Sequence, residues 1–108
     1  MSAELFVASS GRLAIQVPIT MDSAAAVLAA LAPQVSATDD CVLDLAAVPT
    51  VDSAALSVIL GLLRAARAAG HKLQIANAPA AFDSLAALYG VDALLAEHLI
   101  KPAATAHV

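Results

Sequence analysis

The stretch Val42–Leu56, VLDLAAVPTVDSAAL, decides how the rest of the chain is read. Its first half is an apolar run that carries one acidic residue, Asp44, and stops at Pro49. Its second half, from Asp52 and Ser53, opens a long helical pattern. A strand that delivers a hydroxyl to the first turn of a helix suits phosphate chemistry or partner recognition. The helix start offers free N–H groups and the positive end of the dipole. The question is what the Ser53 hydroxyl is for.

Working outward, Cys41–Val48 reads as a strand that is apolar on both faces except at Asp44, the pattern of a buried central strand. The main helix runs from Asp52 to Ala69 and ends at Gly70, a C′ residue. Lys72–Ala76 is the next strand, and Asn77-Ala78-Pro79 turns into a second helix that continues through Leu88 and stops at Gly90. The two strands flanking the main helix should be parallel neighbours with a right-handed crossover. Val91–Ile100 fits either a short helix or a closing strand.

Upstream, Glu4–Ala8 and Arg12–Val17 alternate in polarity around Ser9-Ser10-Gly11 and form a β-hairpin. Pro18 ends the second strand. Thr20 and Asp22 offer N-caps to an Ala-rich helix over Ser23–Leu31, broken by Pro33, and Gln34–Asp40 is a loop. The fold class is α/β: a single domain, 1–101, with a mixed β-sheet of four to five strands and packed helices. A small-residue tail, 102–108, is expected to be mobile.

Composition narrows the class. The 108 residues suit one domain. The hydrophobic share is 61% and mean hydropathy is +0.86, against an ordinary apolar share of about 45–50%. That leaves a membrane protein, or a domain that covers apolar surface with a partner. A spanning helix needs about 20 apolar residues, whereas Ala54–Leu63 is interrupted by Ser57 and followed by Arg64 and Arg67. No direct membrane insertion is expected. The N-terminus lacks the basic region of a signal peptide, and a lone Cys41 points to a reducing, cytoplasmic setting. Net charge is −4 with five Lys+Arg and no Trp, which argues against nucleic acid as a partner.

On the main helix, Leu56, Ile59, Leu60 and Leu63 fall on one stripe, the face packed on a sheet. The opposite face carries Ala54, Val58, Gly61, Ala65 and Ala68, with Ser53, Ser57 and Arg64 along the border. Glu and Lys would be ordinary there. Small residues fit either a second layer of the domain's own core or a partner element approaching closely. The expected partner-binding set is Asp52, Ser53, Ala54, Ser57, Val58, Gly61, Arg64 and Ala65.

Catalysis is not expected. Ser53 lacks a G-x-S-x-G elbow and a local base. His71 lies about 27 Å away along the helix at 1.5 Å per residue. Scattered histidines with one Cys do not make a metal site, and no cofactor is implied. Asp52 and Ser53 have a plain use as N-cap and first-turn residues. A phosphate on Ser53 would sit at the positive end of the helix dipole and act on a docked partner.

The run VLDLAAVPTVDSAALSVILGLLRAARAAGHKLQIANAP resembles the core of STAS domains, and LAALYGVDALL is similar to the segment that follows it there. The resemblance spans Glu4 to Ile100. Two departures stand out: Ala55 replaces the Gly usual before the motif Leu, and Ile19-Thr20 replaces a Gly-Glu pair after the second strand. The resemblance implies one of two partners. As in the small STAS subunit of Mla-type phospholipid-transport ABC systems, the helix would dock on the cytoplasmic ABC ATPase subunit. Leu85, Ala86, Leu88 and Tyr89 match that branch. As in anti-sigma factor antagonists, Ser53 would instead be phosphorylated by an anti-sigma kinase. The high hydrophobicity favours a constitutive transporter subunit. A homodimer through the same helix is the remaining alternative.

Overall fold

The first reversal of the chain shows how local residues set the sheet. Ser10 and Gly11 both adopt positive φ, 49° and 80°, the two-residue turn whose twist matches that of paired strands. In the computed structural model, which describes residues 5–100, this turn joins β1 (Phe6–Ser9) to β2 (Arg12–Ile15) with Ser9 opposite Arg12. Glu4, expected to begin the first strand, and the tail 102–108 lie outside the described residues.

The remaining elements are α1 (Ala24–Ala37), β3 (Cys41–Asp44), α2 (Ala54–Ala68), β4 (Leu73–Ala76), α3 (Ala80–Leu88) and α4 (Asp92–Ala96). The sheet order is β1-β2-β3-β4, antiparallel at the hairpin and parallel thereafter. The β3–α2–β4 unit is therefore the parallel pair expected from its sequence. Alternation puts Leu13, Ile15, Cys41, Leu43, Leu73 and Ile75 into the core. Val27, Leu31 and Val35 of α1 and Ala55, Ile59, Leu62 and Ala66 of α2 join the same cluster.

Several boundaries differ from expectation, each for a physical reason. The first helix runs through Pro33 to Ala37. An interior proline removes one hydrogen bond and costs about 3 kcal/mol. Here Leu31 and Val35, one turn apart, are both fully buried, and their burial outweighs that loss at an exposed site. Neither Thr20 nor Asp22 caps this helix. The Ser23 hydroxyl instead accepts the Thr20 N–H at 3.0 Å and donates to the Pro18 carbonyl at 2.6 Å. β3 stops at Asp44 because its carboxylate accepts the Ala46 N–H at 2.9 Å and turns the chain.

The undecided segment is both things in sequence. α4 forms first, and then Leu99 bridges to Ile75, with Ile75 N–H donating to His98 O at 2.7 Å and Ile100 N–H to Ile75 O at 2.8 Å. α2 ends as its Gly70 suggests: φ is +77°, and His71 N–H reaches back to Ala66 O at 2.9 Å.

Candidate partner-docking site

The entry to α2 is fixed by Asp52. Its Oδ1 accepts the Ala54 N–H at 2.8 Å, satisfying one of the free donors of the helix start. Its Oδ2 accepts the Met21 N–H at 3.0 Å. A parallel bridge between Ile19 and Val51 holds the same two loops together, with Ile19 N–H donating to Thr50 O at 3.0 Å. The β2–α1 loop is thereby brought beside the Ser53 end of α2. Met21 on that loop is 79% exposed. The sequence gave no periodic signal for this juxtaposition, because it depends on one side-chain bond and one isolated bridge.

Ser53 is exposed and makes no side-chain cap hydrogen bond. The capping role expected of the Asp52–Ser53 pair therefore falls on Asp52, and the Ser53 hydroxyl is released from it. Ser57 and Arg64 are also exposed. At 100° per residue they share one line with Ser53, so the expected border is the middle of the solvent face.

The small-residue face is not open. Val58 is 1% exposed and belongs to the core. A Cβ placed on Gly61 would stand 3.1 Å from Leu28 Cδ1, because α1 packs alongside α2 at that point. Ala54 and Ala65 are half-buried. The expectation that Val58 and Gly61 face outward is thus corrected: they serve the α1–α2 contact, where a missing side chain lets the helices approach. Leu60 and Leu63, assigned to the sheet face, are only partly buried. The register of the buried stripe is rotated toward Ala55, Val58, Ile59 and Leu62.

Asp44 holds the sheet end near the β4 turn. Its carboxylate accepts Asn77 Nδ2 at 2.9 Å and Arg12 Nε at 3.1 Å in addition to Ala46 N–H. The Asn77 bond, with those from Ala46 and Arg12, keeps its carboxyl below the ordinary value despite partial burial. It serves the scaffold. Burial pushes the Cys41 thiol up, away from the reactive thiolate. His71 Nε2 pairs with Asp39 Oδ1 at 2.9 Å, and His98 Nδ1 contacts the Leu73 carbonyl at 3.2 Å. Neither histidine is hydrogen-bonded to Ser53. Among the described residues, no cluster of His, Cys, Asp or Glu could hold a metal, and no helix is long and apolar enough to cross a membrane.

A parallel β3–α2–β4 core, an N-terminal hairpin and a serine at the start of the crossover helix invite comparison with known families. A family model described as Mlab, STAS domain, matches residues 4–99. The chain belongs to this STAS domain family. A solved structure from Thermotoga maritima, titled as a candidate anti-sigma factor antagonist, superposes with a TM-score of 0.71 at 13% identity. The match covers 94% of this chain and 88% of that one. At that identity the likeness is one of fold. No curated protein matches the chain. In this STAS domain the conformation of the Ser53 segment is built by Asp52, while the serine itself stays at the surface.

Proposed function

We propose that this STAS domain is a non-catalytic interaction module, the small subunit that docks on the cytoplasmic ATPase of an Mla-type phospholipid-transport ABC system. The observation that carries the reading is the exposed start of α2. Ser53 and Ser57 present hydroxyls without capping duty, and Asp52 holds the exposed Met21 loop beside them. A rigid mount with a free, uncharged surface suits a constitutive contact better than a reaction. The MlaB-type family match supports the choice of partner. Asp52, Ser53, Ser57 and Arg64 lie on the docking strip, with Ala54 and Ala65 at its half-buried edge.

The test is direct mixing of the purified chain with the Mla-type ATPase subunit of the same organism, followed by sedimentation and ATPase assay. Complex formation and a change in ATPase rate, both abolished by Ser57→Arg, are expected. A Ser57→Arg variant that binds as well as wild type places the contact elsewhere. The absence of any complex removes the transporter reading.

A second reading has its own support. Ser53 is accessible at the positive end of a helix, as a phosphorylation site must be, and the fold neighbour is titled as an anti-sigma factor antagonist. Incubation with an anti-sigma kinase of the same organism and mass spectrometry of Ser53 separates the two. Stoichiometric phosphorylation that releases the kinase supports the antagonist role.

A further inference from the structure

The far end of α2 carries a feature that the Ser53 strip does not use. A half-open groove of about 730 Å³ lies between the last turns of α2, the start of β4 and α4. Its cationic side is Arg64, Arg67 and Lys72, and its apolar wall includes Leu60, Leu63 and Leu94. Three of the chain's five Lys+Arg residues thus converge on one groove in a chain of net charge −4. Among the described residues none of the three forms an ion pair, whereas Arg12 is engaged by Asp44. Glu97 also lines the groove, with Oε2 3.7 Å from His98 Nε2. Arg67 has one local use, since it sits in the last turn of α2 and meets the negative end of the dipole. That does not account for Arg64 or Lys72, nor for Leu94, which is 58% exposed beside them.

The arrangement along α2 is ordered. Leu60 and Leu63 are three apart, and Arg64 and Arg67 are three apart, so an apolar row runs beside a cationic row. The complement of that pattern is a helix whose apolar stripe is edged with carboxylates. A volume within the range of about 300–1,000 Å³ typical of ligand sites takes a short segment, not a whole domain. An anionic membrane is disfavoured as the occupant. It would meet the −4 chain across a broad face, whereas a peptide enters the cationic concavity alone.

We propose that this groove binds an acidic amphipathic helix of a protein partner. Charge complementarity sets its orientation and the leucines supply most of the buried area. The contact is separate from the Ser53 strip and does not depend on it.

The test uses the full chain, isotopically labelled, titrated with a synthetic helical peptide that carries Leu at i, i+3 and i+7 flanked by Glu. The probes run in parallel are the same peptide with Lys in place of Glu and vesicles of phosphatidylglycerol. Saturable NMR shifts are expected at Arg64, Lys72 and Leu94 with the Glu peptide only, weakening as salt rises. The double variant Arg64→Glu/Arg67→Glu should lose about tenfold or more in affinity. Ser53→Asp should bind the peptide as wild type does, so a failure here leaves the Ser53 strip untouched and the reverse holds too. Equal binding of the Lys peptide, shifts that map elsewhere, no binding of the Glu peptide, or binding of the vesicles without the peptide would each overturn the proposal. Because both arginines are exposed, the double variant should stay folded. Lys72→Glu gives the same readout from outside the helix.

Discussion

Asp52 is bonded at once to the backbone of Ala54 and of Met21, at 2.8 and 3.0 Å. One carboxylate therefore caps α2 and fixes the loop that precedes α1. Replacing it by Ala removes both bonds and leaves the Ala54 donor unpaired at the helix start. The expected loss is about 1–2 kcal/mol, as for other N-cap deletions. For a domain of this size, 1 kcal/mol corresponds to roughly 4–8 °C in Tm. Asp52→Asn, which retains an acceptor at the cap, should lose less. Thermal unfolding followed by circular dichroism checks both, and an unchanged Tm for Asp52→Ala would show that the clamp is incidental.

Asp44 gives the fold an acid dependence. Its folded carboxyl is held below the ordinary value of 3.8, first by Asn77 and then by the Ala46 and Arg12 contacts. A group whose folded pKa is depressed is protonated more readily when unfolded. It therefore contributes stability that is fully present above the unfolded value and is lost as pH falls through the folded one. Urea midpoints measured between neutrality and the acid region should fall with acidification, and Asp44→Asn should show a shallower fall. Asn77→Ala should narrow the acid dependence in the same direction, because it removes the largest cause of the shift. Parallel pH profiles for wild type and Asp44→Asn would exclude this carboxyl as the origin.

Gly61 sits where α1 comes closest to α2, with Leu28 Cδ1 at 3.1 Å from its missing Cβ. Helix propensity favours any side chain there by up to about 1 kcal/mol, and packing opposes it. For Ala only the flexible end of Leu28 must give, so the two effects nearly cancel. For Leu the side chain must force the helices apart, and overpacking of this kind costs about 1–3 kcal/mol. Denaturant unfolding of Gly61→Ala and Gly61→Leu checks the contrast. A Gly61→Leu variant as stable as wild type would mean that the face is open after all.

The same glycine shows what the sequence could and could not tell. The parallel β3–α2–β4 unit follows from Val and Leu runs separated by a helical period, and the hairpin from Ser10-Gly11. Those signals are local. Which side of α2 meets α1 is a packing outcome: Ala, Val and Gly suit a close internal contact as well as an open surface. The helix through Pro33 was hidden likewise, since burial of Leu31 and Val35 is a tertiary effect that overrides a local breaker. At the docking strip, Ser53 and Ser57 could be found by helical phase alone. Met21 could not, because only the Asp52 bond brings it there.

Ser53 makes no cap hydrogen bond, which separates its structural from its regulatory use. Ser53→Ala should change stability by no more than about 0.5 kcal/mol, the range of an ordinary surface substitution. Ser53→Asp adds a negative charge near the positive end of the α2 dipole, worth about 0.3–1 kcal/mol at an exposed site. The neighbouring Asp52 carboxylate opposes that gain, so the fold should again be little affected. The effect is expected on the partner: a charge placed in the middle of the docking strip should weaken ATPase-subunit binding by about tenfold or more, since a desolvated charge without a counter-ion is costly. Ser53→Ala should bind as wild type does. Calorimetric titration of the three proteins, together with their unfolding curves, checks this. A loss of stability of about 1 kcal/mol in Ser53→Ala would return the hydroxyl to a capping role, and equal binding by Ser53→Asp would place the partner away from the start of α2.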